Sequence, residues 1–73
     1  MRIAVSCEDV QTFRDILEKV PKGVKLTEVE DGFDDLKVVF DKPFRRRDSK
    51  AIFDVLDNLS STSARYNITL VEK

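Results

Sequence analysis

The chain of 73 residues contains no histidine and a single cysteine, Cys7. One cysteine excludes a disulfide within the chain, and one thiol without histidine cannot supply the four ligands of a structural zinc site. A Cys–His nucleophile is excluded for the same reason, and the most common acid–base group of enzymes is missing. We therefore expect a protein that is not an enzyme, binds no cofactor or metal, and depends on its apolar core for stability.

Glycine and long apolar runs are also scarce. Gly23 and Gly32 are the only glycines, and both fall in turn signals, so the chain has no glycine-rich phosphate loop. No apolar run approaches the roughly 20 residues that span a bilayer. The apolar segment 3–5 is too short for a signal peptide, and a lone cysteine fits a reducing compartment. These features predict a cytoplasmic protein without a membrane partner.

The beginning of the chain predicts a strand followed by a helix. Apolar and polar residues alternate over residues 2–6, which is typical of a strand. Ser6 and Asp9 form a capping-box pattern, so Ser6 is expected to cap the helix and Cys7 to be its first residue. The helix is expected to end at Pro21. Its apolar stripe consists of Val10, Phe13, Ile16, Leu17 and Val20.

The remaining chain predicts three strands and a second helix. Residues 24–30 form a strand whose acidic end suits the edge of a sheet, and residues 36–40 show the clearest alternation. Asp48 is expected to cap the second helix, and a polar loop at 60–63 leads to a last strand at 66–70. The buried side of the second helix is predicted to carry Ile52, Phe53, Leu56 and Leu59.

The element order is βαββαβ, which is the order of the ferredoxin-like α+β fold. The chain is expected to form one domain, 1–73. Right-handed crossovers predict a four-stranded antiparallel sheet with the first and third strands at its centre and two helices packed on one face. Ile68 and Leu70 are expected to face the helices. Many unrelated functions use this fold, so it does not identify an activity.

Charged residues make up 37% of the chain, although the net charge is only −1. Because successive elements alternate in direction, the predicted fold sorts these charges to two ends of the molecule. The acidic end is expected to hold Glu8, Asp9, Glu28, Glu30, Asp31, Asp34 and Asp35. The basic end is expected to hold Arg2, Lys19, Lys22, Lys25, Lys42, Arg45, Arg46, Arg47, Lys50 and Lys73. The alternative is ordinary solvation, since charge runs often mark only a solvated surface.

An acidic turn before the third strand surrounds one aromatic residue. Phe33 follows Glu30 and Asp31 and precedes Asp34 and Asp35. At the tip of a hairpin, the ring would anchor in an apolar pocket of a protein partner while the carboxylates meet basic groups. The alternative is that Phe33 folds back over the edge of the sheet and covers it.

A basic segment lies at the start of the second helix, and it comprises Arg45, Arg46, Arg47 and Lys50. Positive side chains beside the unpaired amides of a helix start favour phosphate or carboxylate groups, including those of nucleic acid. The acidic cap residue would repel an anion, and a solvated basic loop is the alternative. Phe40 is expected in the core, so the sheet offers no ring for stacking on bases and nucleic-acid contact would involve the backbone.

The open face of the predicted sheet carries three valines, Val29, Val39 and Val71. A contiguous apolar patch usually marks an interface, and closed symmetric dimers are the most common assemblies. We therefore expect self-association into a homodimer through this face.

These features favour a non-catalytic protein-binding module, acting through the acidic turn around Phe33 or the open face around Val39. A compact, charge-rich chain suits an inhibitor of the phage or mobile-element type that docks on a host macromolecular complex. Two alternatives stand beside this hypothesis. One is a nucleic-acid-associated protein that binds phosphates through its arginines, and the other is a small self-assembling regulatory subunit.

Overall fold

The computed structural model describes residues 2–30 and 35–71. Apolar residues alternate along its strands and recur at helical spacing in its helices. In chain order, the elements are β1 (Arg2–Cys7), α1 (Val10–Leu17), β2 (Leu26–Glu30), β3 (Leu36–Phe40), α2 (Arg46–Ser61) and β4 (Tyr66–Val71). The fold is therefore of the α+β class.

The four strands form one antiparallel sheet in the order β2-β3-β1-β4. This confirms the predicted strand order, with β1 and β3 at the centre and β2 and β4 at the edges. The register aligns the end of β1 with the starts of β3 and β4, because Cys7 is opposite both Leu36 and Tyr66. The β1–α1 and α2–β4 connections therefore lie at one end of the sheet, and the β3–α2 connection lies at the other end.

One apolar core joins the central strands to both helices. Alternate residues of β1 and β3 enter it, with Val5 opposite Val38 and with Phe40 fully buried, as predicted. The helices contribute Phe13, Ile16, Ala51, Ile52, Val55 and Leu59. In α2 these residues have the spacing of a single helix face, so the core lies between that face and the sheet.

The cap of α1 is Asp9 rather than Ser6, and Cys7 is not helical. Ser6 and Cys7 are held in β1 by their pairing with β3 and β4, so neither can start a helix. The Asp9 side chain accepts a hydrogen bond from a first-turn amide at 3.2 Å. The helix ends at Leu17, earlier than the predicted end at Pro21, because the amides of Lys19 and Val20 donate to carbonyls only three residues back.

The cap of α2 is Arg45 rather than Asp48, because the helix begins earlier than the sequence predicts. The Ser49 amide donates to the Arg45 carbonyl at 2.8 Å and closes the first turn. Asp48 lies inside that turn, where the helix dipole favours a negative charge. At the other end, the helix continues through Ser61 into the predicted polar loop.

The turn between α1 and β2 shortens the second strand. The Val24 amide donates to the Pro21 carbonyl at 3.2 Å, so β2 starts at Leu26 rather than at residue 24. Val24 nevertheless packs in the core. Within the described ranges, neither helix has the length and apolarity that crossing a membrane requires.

The strand register locates some of the charged residues at the two ends of the sheet, and the separation into an acidic and a basic end stays a prediction. Glu8 and Asp35 adjoin the Cys7–Leu36 pair at one end. Arg2 and Asp41 lie at the other end, where their side chains are 3.9 Å apart.

Candidate functional site

Phe53 of α2 is exposed, contrary to the prediction that it belongs to the buried side of the helix. Successive helical residues are about 100° apart around the axis. Ile52 and Val55 enter the core, so Phe53 points away from it and 71% of the residue is accessible. The prediction was wrong because it assigned Phe53 to the same face as Ile52.

Ile68 and Leu70 of β4 are also exposed, with 51% and 62% of each residue accessible. They are opposite Val5 and Ile3, which lie in the core or against it. The register agrees with the prediction that Ile68 and Leu70 face the helix side of the sheet, and it shows that facing this side does not bury them. The helices cover β1 on this side and leave β4 largely uncovered.

The loop between β3 and α2 brings a further aromatic residue to the same region. Phe44 is 76% accessible, and the Ser49 hydroxyl donates to the Pro43 carbonyl, which attaches the loop to α2. A groove of about 330 Å³ runs between these elements. It is lined by Ile3, Pro43, Phe44, Ser49, Ile52, Phe53, Leu56 and Ile68. Phe44, Phe53, Ile68 and Leu70, together with this groove, are named the α2–β4 surface below.

Polar residues border the α2–β4 surface. Lys50 and Asp57 are exposed about one turn before and after Phe53. The hydroxyls of Ser60 and Tyr66 are 3.0 Å apart and share a hydrogen bond, which ties the end of α2 to the start of β4. An apolar centre with a polar rim is the usual anatomy of a protein–protein interface.

The basic segment lies beside this surface, at the start of α2. Arg45, Arg46 and Arg47 are all exposed. The Arg47 side chain packs directly against Gly23, since a β-carbon added to Gly23 would be 1.8 Å from the Nη1 atom of Arg47. Asp48 is fully buried, and among the described residues its carboxylate oxygens have no hydrogen-bond partner. Asp48 is therefore neither the helix cap nor an exposed neighbour of the three arginines.

The open face of the sheet presents less apolar area than the sequence predicts. Val39 is only 9% accessible, and Val29 and Val71 are opposite Lys37 and Arg2, respectively. The three valines therefore occupy different rows across the sheet. Val29 and Val71 lie one row to either side of Val39 on this face, beside Lys37 and Arg2, and self-association through the open face stays a prediction.

The acidic turn is only partly described. Glu30 ends β2, and Asp35 is half-buried just before β3. Asp31, Phe33 and Asp34 lie outside the described residues, so the anchoring role of Phe33 stays a prediction.

Cys7 is buried in the core at the end of β1. Burial is the largest cause that raises the pKa of its thiol. A backbone hydrogen bond with Asp9 acts in the opposite direction, and the carboxylates of Asp9, Asp35 and Glu8 raise the pKa further. A buried thiol with a raised pKa is a poor nucleophile and metal ligand, which supports a structural role for this residue.

Sequence reasoning missed Phe44 and Phe53 as surface residues, although both left a signal. The apolar stripe of α2 is complete without Phe53, since it consists of Ala51, Ile52, Val55 and Leu59. A large apolar residue beside a complete stripe indicates an exposed position. Phe44 stands between a proline and an arginine in a charged loop, which is also an unusual place for a buried ring.

Comparison of the chain with models of known protein families and with curated proteins gives no match. Inference about its function therefore depends on the physical chemistry of the α2–β4 surface and of the basic segment beside it.

Proposed function

We propose that this protein is a non-catalytic protein-binding module and that it binds its partner through the α2–β4 surface. The observation that carries this proposal is the exposure of Phe44, Phe53, Ile68 and Leu70 on three adjacent elements. Single exposed apolar residues are normal on protein surfaces, whereas a contiguous group around a groove marks an interaction site. Aromatic residues are also enriched among the residues that dominate binding energy.

The exposed area supports the same conclusion. With about 200 Å² for each phenylalanine and slightly less for isoleucine and leucine, the four exposed fractions leave roughly 500 Å² of the surface of these residues in water. The largest apolar patch of a typical monomer covers about 300–600 Å² and is often functional. A chain of 73 residues has little total surface, so a patch of this size is a large part of it.

The fold family, compartment and partner class of the module are proposed from its topology and composition. The strand order and the single core support a ferredoxin-like arrangement, with both helices on one face of the sheet. The buried lone cysteine supports a reducing, cytoplasmic compartment. Docking on a host macromolecular complex, as an inhibitor of the phage or mobile-element type does, suits a small domain that presents an apolar surface.

The test is affinity purification from the lysate of the native host with one variant for each candidate surface. Phe53→Glu alters the α2–β4 surface, Phe33→Glu the acidic turn and Val39→Lys the open face. We expect the proteins captured by the wild type to be lost with Phe53→Glu and retained with the other two. Thermal unfolding of each variant controls for folding. Capture that survives Phe53→Glu and disappears with Phe33→Glu would move the binding site to the acidic turn.

The exposure of three consecutive arginines favours a second candidate function, the binding of nucleic-acid phosphates by the basic segment. Arg45, Arg46 and Arg47 are exposed, and none of the three forms an ion pair with the described residues. Their positive charge at a helix start is therefore available to an anion. Because no aromatic residue of the open face is available for stacking in the described strands, binding would be independent of base sequence.

Fluorescence anisotropy with labelled single- and double-stranded oligonucleotides tests this candidate. Affinity should fall steeply with salt, and replacing the three arginines by alanine should flatten the slope by roughly one unit per lost phosphate contact. Replacing Arg14 and Arg65 by alanine serves as the control at exposed positions. Absence of binding at low salt, or an equal loss in the control, contradicts this candidate.

A further inference from the structure

The two edges of the sheet differ in their protection against pairing with another chain. Exposed edge strands usually carry charged residues, proline or a bulge. β2 carries Glu28 and Glu30 within its five residues. β4 has neither a charged residue nor a proline from Tyr66 to Val71, and its register with β1 is continuous. In the part of the chain that the structure describes, only β1 pairs with β4, so its outer edge is open.

The open edge of β4 adjoins the α2–β4 surface. Ile68 and Leu70 belong to the strand and also to that surface, and both point to the helix side. A strand added to this edge would extend the sheet and would place its own side chains beside Ile68 and Leu70. Backbone hydrogen bonds and apolar contacts would therefore form in the same binding event, as they do in β-strand addition.

We propose that the partner of the α2–β4 surface is a second copy of this chain, bound by antiparallel pairing of the two β4 strands about a two-fold axis. This inference rests on the proposed protein-binding function and names a second copy, rather than a host complex, as the occupant of this surface. Directly opposed residues of antiparallel strands point to the same face. With Thr69 on the axis, Ile68 of each copy is opposite Leu70 of the other, and all four helices lie on one side of the joined sheet.

The area and the charges fit this occupant. A standard interface takes about 800 Å² from each partner, and roughly 500 Å² of exposed surface from Phe44, Phe53, Ile68 and Leu70 already lies on the α2–β4 surface of each copy. Pairing of the two β4 strands opposes no like charges, because β4 carries no charged residue from Tyr66 to Val71. The surface is therefore complementary to itself in apolarity, without charge repulsion between the paired strands.

Sedimentation equilibrium over a range of protein concentrations is the first test. The wild type should be a dimer at micromolar concentration. Leu70→Lys places a charge on the open edge and should weaken the dimer at least tenfold. Val29→Lys is the matched control, because Val29 is an exposed residue of the opposite edge strand, and it should leave the dimer unchanged. A wild type that stays monomeric at high micromolar concentration overturns the proposal.

Symmetric cross-linking tests the geometry. Thr69 and Thr27 are exposed residues in the same row of the sheet, since Thr69 is opposite Ala4, Ala4 opposite Val39 and Val39 opposite Thr27. In a Cys7→Ala background, Thr69→Cys should form a disulfide-linked dimer on mild oxidation with copper phenanthroline, because residues opposed on the axis have the Cα separation that a disulfide needs. Thr27→Cys should not. Equal cross-linking of both variants contradicts pairing through β4.

The two proposals fail in different ways. Suppose that the wild type is monomeric but captures another protein, and that Phe53→Glu abolishes this capture. The self-pairing is then wrong, and the protein-binding function stands. If Phe53→Glu changes neither the oligomeric state nor the captured proteins, both proposals are wrong.

Discussion

Asp48 is the charged residue with the least favourable surroundings in residues 2–30 and 35–71. Its side chain is fully buried, and both carboxylate oxygens lack a hydrogen-bond partner there. Removing an ion from water costs several kcal/mol unless it is paired. The attraction of a helix start for a negative charge contributes at most about 2 kcal/mol. The burial of Asp48 therefore costs stability.

Asp48→Asn should raise the free energy of unfolding by about 1 kcal/mol, because the neutral amide keeps the shape of the side chain and has a smaller desolvation cost. Urea unfolding monitored by circular dichroism measures this change. Asp57→Asn is the control, since Asp57 is an exposed residue of the same helix and should change stability by less than about 0.5 kcal/mol. A loss of stability in Asp48→Asn would mean that the buried carboxylate has a favourable partner.

The burial of Cys7 predicts that the free energy of unfolding decreases at alkaline pH. Because the pKa of its thiol is raised in the folded chain, the unfolded thiol ionises first as pH rises. The contribution of the protonated thiol to the free energy of unfolding is complete below the pKa of the unfolded thiol, which is about 8.5. This contribution is lost as pH rises from there through the higher pKa of the folded chain. The unfolding free energy of the wild type should therefore fall more steeply between neutral and strongly alkaline pH than that of Cys7→Ala.

Cys7→Ala also removes packing atoms from the core, and this loss lowers the unfolding free energy of the variant at every pH. The difference in slope is the informative quantity, because the two proteins are identical at every other residue. Parallel curves would contradict a raised thiol pKa.

At the scale of elements, the start of α1 shows how strand pairing decides a helix boundary. Ser6 and Asp9 are both suitable caps, but the pairing of β1 extends through Cys7 and leaves Asp9 as the cap. Asp9→Ala should lower the unfolding free energy by about 1 kcal/mol. Ser6→Ala should change it by less than about 0.5 kcal/mol. A larger effect at Ser6 in chemical unfolding experiments would favour the capping box that the sequence predicts.

The order of the elements and the composition of the core could be predicted from the sequence because each depends on local periodicity. The alternation of Leu36, Val38 and Phe40 fixes which side of β3 is buried, and right-handed connections then leave few arrangements of the sheet. The caps could not be predicted reliably, since they depend on how far the sheet pairing extends beyond each strand.

The α2–β4 surface could not be predicted for a different physical reason. Alternation shows that Ile68 and Leu70 share a side of β4, but not whether a helix covers them. That depends on where α2 lies across the sheet, which is a property of the whole packing arrangement. The position of α2 leaves β4 uncovered and turns Phe53 outwards, so the residues expected to complete the core form a surface instead.

At the scale of the whole molecule, the fold brings two kinds of surface together at one end of α2. The exposed phenylalanines Phe44 and Phe53 supply apolar area, and Arg45 and Arg46 supply positive charge next to it. Apolar anchors give affinity, whereas charges at the rim mainly affect the rate of association and its salt dependence. A partner that uses both should bind more slowly at high salt while its dissociation rate changes little.

Photo-crosslinking from position 53 tests most directly whether the α2–β4 surface is a protein interface. Phe53 is replaced by the photoreactive residue p-benzoylphenylalanine, which preserves an aromatic ring, and the protein is irradiated in cells of its native host. The same residue at Gln11, an exposed position of α1, is the control. We predict a covalent protein adduct from position 53 and none from position 11, and an adduct of twice the 8.4 kDa chain mass would identify a second copy as the partner. Absence of an adduct from position 53, or equal adducts from both positions, would contradict the account.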